Sequence, residues 1–162
     1  MDLLDFEAQE VLYFDEPLPE SVQQLLDEIA SGAQTAEELS LLRAYLLAPE
    51  HLTVLVALFR FFFFRHRLEE ALVVSHHALR VSGRRLEFPQ DWHALTPELF
   101  TDRPMTLVRF YLFALKGSAY LNLRLGHLDE GKAILKKLMT LDPQDRLGAA
   151  ALLDVIESFT ES

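Results

Sequence analysis

Six histidines, a few serines and a set of cations are the side chains in this 162-residue sequence with chemistry to offer; there is no cysteine. A metal centre needs ligands that converge. His76 and His77 are adjacent, so on a helix they diverge by about 100°, and His66 falls in a turn. Neither HExxH nor a Glu-x-x-His pair occurs. The histidines read as structural or solvent-facing, with no metal site and no cofactor. Ser75, Ser82 and Ser118 fall on helices or their ends, without the G-x-S-x-G elbow that exposes a nucleophile. The six glycines are scattered at turns, so no Gly-rich loop cradles a phosphate. Lack of cysteine removes a disulfide framework, a Cys-ligated zinc and a thiolate nucleophile. No catalytic residue is expected, and the chain reads as a protein that is not an enzyme.

Charge is the stronger signal. The sequence carries 25 Asp+Glu against 15 Lys+Arg, a net of -10. Residues 1–50 hold 12 acids and one base, Arg43; residues 51–162 hold the other 13 acids and 14 bases. Six arginines fall within 51–85 against Glu69 and Glu70. An acidic first third thus precedes a locally basic middle, which predicts either internal complementarity or an acidic surface that steers a basic partner. The balance argues against nucleic acid, whose binders show a basic face. The most apolar stretch, 52–64, contains Arg60, and thirteen helical residues reach only about 20 Å, short of a bilayer core of about 30 Å. The start, MDLLDFEAQE, has four acids and no base, unlike a secretory signal. A cytoplasmic protein without membrane or nucleic-acid partners is expected.

Helices must position whatever the chain uses. Pro19 opens a first helix over SVQQLLDEIA, closed by Gly32. Thr35 and Glu38 have capping-box spacing ahead of an apolar stripe, Leu39, Leu42 and Leu46, in a second helix that stops before Pro49. A third runs through LTVLVALFRFFFFR, and a fourth from Leu68 to Val81 with Gly83 as its C-cap. A proline-broken stretch follows, in which Asp91 caps one short turn. Pro104 opens a long helix ended by Gly126; 128–141 and 144–159 read as the last two. EVLYF at 10–14 is the one strand candidate.

These helices recur in pairs. Gly32 and Pro49 are 17 apart, as are Gly126 and Pro143; His66 and Gly83 stand 34 residues after the first two, and Ala78 stands 34 after Ala44. Residues 121–145, LNLRLGHLDEGKAILKKLMTLDPQD, resemble the turn and second helix of a tetratricopeptide repeat (TPR), with Gly126 at the turn, Gly131 at a small position and Asp142-Pro143 at the exit. RLEEALVVSHHALR, 67–80, resembles the same segment, with Ala71 and Ala78 at small positions. The family pattern is broken at His66, where a turn glycine is usual, at Gly83, where an exit proline is usual, and at Phe59 and Glu37, where small residues are usual. The resemblance implies an all-α, TPR-like α-solenoid of about three helix pairs. As one domain over 1–162 it comprises an acidic segment 1–18, two helix pairs over 19–83, an insertion over 84–103, a third pair over 104–142 and a capping helix over 143–162. Trp92 and Phe100 of the insertion are expected to pack back on the body.

Stacked pairs form a concave face lined by first helices. Repeat geometry turns Phe62 into its helix pair. It places Val56, Arg60, Phe63 and Phe64 of one first helix, and Lys116, Tyr120, Leu123 and Arg124 of another, on that face as partner-binding residues. Cations among aromatic and apolar side chains suit an acidic, hydrophobic peptide, and the chain's own DLLDFEAQEVLYFDE is one such segment. Gly117 stands where chaperone-binding repeats carry a clamp residue, so chaperone tails are not expected.

The combination EVLYFDEPLP, VALFRFFFFRHRLEEAL, DWHALTP and VRFYLFALKGSAYLNLRLG is similar to the small repeat proteins of bacterial nitrogen-fixation clusters, the nitrogenase-associated factor T family. That resemblance implies an adaptor, assembly or protective factor for a protein partner, the nitrogenase molybdenum–iron protein or its maturation. The alternative is a type III secretion-type TPR chaperone that holds an export subunit.

Overall fold

The computed structural model describes residues 16–30 and 37–160, and within them the chain is all-helical. The helices are α1 (Glu20–Ala30), α2 (Glu37–Leu47), α3 (Leu52–Phe64), α4 (Leu68–Arg85), α5 (Met105–Arg124), α6 (Leu128–Leu141) and α7 (Ala149–Thr160). Two short 3-10 turns, Trp92–Ala94 and Pro97–Phe100, lie between α4 and α5. No helix among the described residues is long and apolar enough to cross a membrane. EVLYF, Gly32, Thr35 and the proposed self-binding N-terminal segment, up to Asp15, lie outside the described residues.

The chain divides into two compact units at Val74–Ser75, inside α4. In the first, the Pro19 carbonyl accepts from the Val22 and Gln23 amides and starts α1. Val22 of α1, Ala44 of α2 and Val54 of α3 form a fully buried cluster, with Leu18, Leu25, Leu26 and Tyr45 against it. His51 starts α3 from a buried position. Its Nδ1 accepts from the Thr53 amide at 3.2 Å, which leaves Nε2 to carry the proton and donate to the Glu16 carbonyl at 3.0 Å. This histidine is a structural cap.

The expected stripe on α2 faces outward. Leu39, Leu42 and Leu46 are exposed, Leu46 at 77%, whereas Ser40, Leu41 and Ala44 turn to the core. α2 carries leucine on more than one side, so spacing alone does not select the buried face; the small Ala44 permits the close contact with α1 and α3.

In the second unit α5 is the central element, buried continuously from Phe113 to Ala119 and again from Leu121 to Leu123. It packs on α6, and α6 packs on α7. Gly131 makes the α5–α6 approach possible: a Cβ there would stand 2.6 Å from Leu123 Cγ and 3.0 Å from the Ala119 carbonyl oxygen. α7 begins at Ala149, five residues later than the sequence reading. The intervening turn is held by side chains, with the Asp142 carboxylate accepting from the Leu147 amide and Asp145 from the Ala150 amide.

Three helix ends use one device. At α3, the His66 amide donates to Phe63 O and the Arg67 amide to Phe62 O; at α5, Gly126 and His127 donate likewise to Leu123 O and Asn122 O. At α4, Glu87 donates to Arg84 O and Phe88 to Gly83 O. This paired pattern is a Schellman C-cap, with His66, Glu87 and Gly126 at the left-handed position. His66 and Gly126 thus lie in inter-helix turns, as expected. Gly83 does not cap α4: the helix continues to Arg85 and is capped at Glu87, and Gly83 instead lets the Tyr111 ring approach, 3.3 Å from where a Cβ would be.

Candidate partner surfaces and an unassigned cleft

In the first unit, the four phenylalanines divide around α3 as helical geometry requires. Phe61 and Phe62 are buried, Phe63 is half-buried and Phe64 is 41% exposed. Phe63 stacks on Phe59, with centroids 5.7 Å apart, and meets Phe64 edge-on at 5.3 Å. Arg60, half-buried beside the half-buried Val56, places its guanidinium 5.9 Å from the Phe64 ring centre. The structure therefore brings Arg60, Phe63 and Phe64 together as an aromatic–cationic surface.

Two arginines that the sequence reading left unassigned organise the other side of this cluster. Arg65 lies 3.9 Å over Phe61 and Arg67 lies 4.7 Å over Phe62. Arg65 also pairs with Glu37, and Arg67 with Glu38 at 2.8 Å. The first turn of α2 is thereby tied to the end of α3, with acids at the positive end of the α2 dipole. Here the acidic first third and basic middle meet within one unit, as internal complementarity predicts. The Glu38 hydrogen bond is the largest influence on Arg67 and raises its already high pKa.

In the second unit, Lys116 and Leu123 do not form surface. Lys116 is only 5% exposed and Leu123 9%, because α5 is enclosed on most of its circumference. Leu123 is committed to the contact with Gly131. Tyr120 and Arg124 stay accessible and form a pair: Arg124 Nη1 donates to the Tyr120 hydroxyl at 2.9 Å, with its guanidinium 5.7 Å from the ring centre. Val56, Arg60, Phe63 and Phe64 belong to the first unit; Tyr120 and Arg124 belong to the second.

A cleft of about 630 Å³ lies wholly in the second unit, between the C-terminal half of α4, the segment after it and α5. His76, Arg80 and Arg84 line one wall at four-residue spacing; Phe88, Trp92 and Tyr111 contribute aromatic surface. The sequence reading missed this site, although the i, i+4, i+8 row of basic residues was visible. Trp92 and Phe100 are both half-buried, so the insertion packs back as expected. Phe100 lies against Phe88 at 4.7 Å and Tyr111 at 6.4 Å.

The turn that carries Trp92 is fixed at several points. Asp91 accepts from the His93 amide at 3.0 Å and from His93 Nδ1 at 2.7 Å; the amide bond, above all, lowers the Asp91 pKa. Lys137 donates to the His93 and Leu95 carbonyls at 2.7 and 3.0 Å. Trp92 stacks on His93 with centroids 3.7 Å apart. In the cleft itself, burial pushes the Tyr111 pKa up to about 12. The pKa of His76 is lowered, first by desolvation and further by Arg80, against an opposing pull from Glu130. The two arginines are therefore the permanent positive charges of this wall. Among the described residues no group of three or more His, Asp or Glu could hold a metal ion.

No family model matches this chain, and no solved structure matches it. It is 45% identical over 159 residues to "Uncharacterized 19.8 kDa protein in nifW 5'region" of Azotobacter chroococcum mcd 1, an alignment covering 96% of this chain and 89% of the relative. The chain belongs to the family of that protein. At this coverage the family likeness extends over both units, so the aromatic–cationic face of α3 and the cleft beside α4 both lie within the shared length.

Proposed function

We propose that this chain is a nitrogen-fixation-associated factor that works by binding a larger protein rather than by catalysis. The observation that carries this reading is the nif-region relative, 45% identical across almost the whole chain. The proposed partner is the nitrogenase molybdenum–iron protein, met in the cytoplasm during its maturation or protection. A TPR-like arrangement is part of the proposal. It is supported by the α5–α6 hairpin and by the α3–α4 connection, whose turns repeat the same C-cap at His66 and Gly126, with Ala71 and Gly131 buried at the same step of the helices that follow. Exposed apolar surface supports a binding role: Leu39, Leu42 and Leu46 on α2, and Phe64 on α3. Arg60 and Phe63 in the first unit, and Tyr120 and Arg124 in the second, are the proposed contact residues, while Lys116 and Leu123 act through the fold.

The test is affinity capture of the tagged chain from a nitrogen-fixing bacterium grown under fixing conditions, after mild crosslinking. The molybdenum–iron protein should co-purify, and substitution of Phe64 and Leu46 by polar residues should reduce its recovery. Capture of an export subunit in its place, or equal recovery of nitrogenase with an unrelated tagged protein, would overturn the reading.

A further inference from the structure

The cleft beside α4 has features that a protein-docking face does not require. Its volume, about 630 Å³, lies in the range of small-molecule sites, roughly 300–1,000 Å³. Its walls separate by chemistry: arginines on α4, aromatic rings on the following segment and on α5. Tyr111 lines it while only 3% exposed, and its hydroxyl has no hydrogen-bond partner among the described residues. A buried hydroxyl without a partner is costly in a folded protein and marks a place where a ligand or ordered water completes the bonding.

We propose that this cleft binds a small planar anion, an aromatic ring carrying a carboxylate or a similar acid, with the acid toward Arg80 and Arg84 and the ring among Phe88, Trp92 and Tyr111. Charge selects the acid. Arg80 spends one Nη2 donor on His77 Nδ1 at 2.7 Å, outside the cleft, and its other guanidinium donors are the ones proposed for the acid; Arg84 follows it one turn later on the same face. Glu87, the acid that lines the cleft, is paired with Arg103 at 3.5 Å, so its charge is partly answered within the protein. Shape selects the ring. Trp92 is held by the Asp91 cap and the Lys137 contacts, and Phe88 by its edge-on contact with Tyr111 at 5.0 Å. Trp92 is the accessible ring face, and the buried Phe88 and Tyr111 form the apolar floor behind it. The Tyr111 hydroxyl supplies a donor for which the described residues offer no acceptor.

The chain's single tryptophan makes the test site-specific. Naphthalene-2-carboxylate is titrated into the full chain by calorimetry, while the one indole N–H resonance is followed by NMR; naphthalene-2-carboxamide is the uncharged control. The carboxylate should bind and move the Trp92 resonance. Arg80→Gln with Arg84→Gln should weaken it by about tenfold or more, as expected for loss of charge-assisted hydrogen bonds, and leave the amide's affinity unchanged. Tyr111→Phe should weaken the carboxylate several-fold without lowering the melting temperature. The arginines are exposed, so the double variant keeps its fold, which its helical circular dichroism checks. The proposal is overturned if the carboxylate leaves the Trp92 resonance in place, or if the double variant binds it as well as the parent does. Neither result bears on capture of a protein partner.

Discussion

His66 and Gly126 hold the same left-handed backbone conformation, at φ 58° and 87°, sixty positions apart. For glycine this costs little, whereas for a residue with a Cβ it costs about 1–2 kcal/mol. A Cβ at Gly126 would meet nothing within 4 Å, so the cost of Gly126→Ala is conformational alone. That variant should lose about 1 kcal/mol in urea denaturation, and His66→Gly should gain about 0.5–1 kcal/mol, reduced by the larger entropy of the unfolded glycine. Equal stability of Gly126→Ala and the parent would show that the turn is not constrained as described.

The same turn explains what was legible in the sequence. α6 runs from Leu128 to Leu141 as read, and α5 ends before Gly126 as read, because local chemistry, a left-handed glycine and an apolar period, sets those limits. The misreadings arise where distant atoms decide. Gly83 resembles a cap in sequence, but it lies inside α4, where its missing side chain leaves room for Tyr111, far along the chain. The start of α7 is delayed by two aspartate side chains that take up amides a helix would otherwise have used. The basic row His76, Arg80 and Arg84 was readable as a stripe, yet the cleft beside it exists only because the insertion folds back and sets Trp92 and Phe88 opposite. Lys116 looked like a groove cation because repeat geometry set it on the concave face; in the structure it lies within the buried run of α5 from Phe113 to Ala119.

Leu41 and Leu46 on α2 should separate fold from surface. Leu41 is 1% exposed and Leu46 77%. Leu41→Ala should destabilise the chain by about 2–5 kcal/mol through lost burial and the cavity left behind. Leu46→Gln should stay within about 0.5 kcal/mol of the parent, as surface substitutions do. Thermal unfolding followed by circular dichroism reads both. A large loss from Leu46→Gln would mean that α2 buries its other face.

Arg67 holds Glu38 and covers Phe62, and salt distinguishes these two roles. Its carboxylate partner is exposed to solvent, so that attraction is screened as ionic strength rises, whereas contact of the guanidinium stem with the buried ring is much less sensitive. In a double-mutant cycle, coupling between Arg67→Ala and Glu38→Ala should be present at low salt and fade toward 1 M salt, about the point where the screening length falls to 3 Å. Coupling between Arg67→Ala and Phe62→Leu should persist. Two couplings that fade together would place the whole contribution of Arg67 in its charge.

Tyr111 predicts a limb in the alkaline stability profile. Its pKa is pushed from 10.0 up to about 12 by burial, so the folded chain keeps the phenol neutral at a pH where the unfolded chain ionises. The sign follows from proton binding: above pH 10 the unfolded state binds fewer protons than the native state, and stability falls as the pH rises. The contribution is complete below pH 10 and declines toward pH 12, by about 1.4 kcal/mol for each step of one in pH, the free energy of one proton's differential binding. Other tyrosines and lysines titrate in this range, so the measurement is the difference between the parent and Tyr111→Phe, both unfolded by urea at a series of pH values. The parent should lose stability relative to the variant between pH 10 and 12, and the two profiles should run parallel below pH 9. Parallel profiles throughout would mean that the hydroxyl reaches water or an acceptor in the native chain, and that Tyr111 is an ordinary surface phenol.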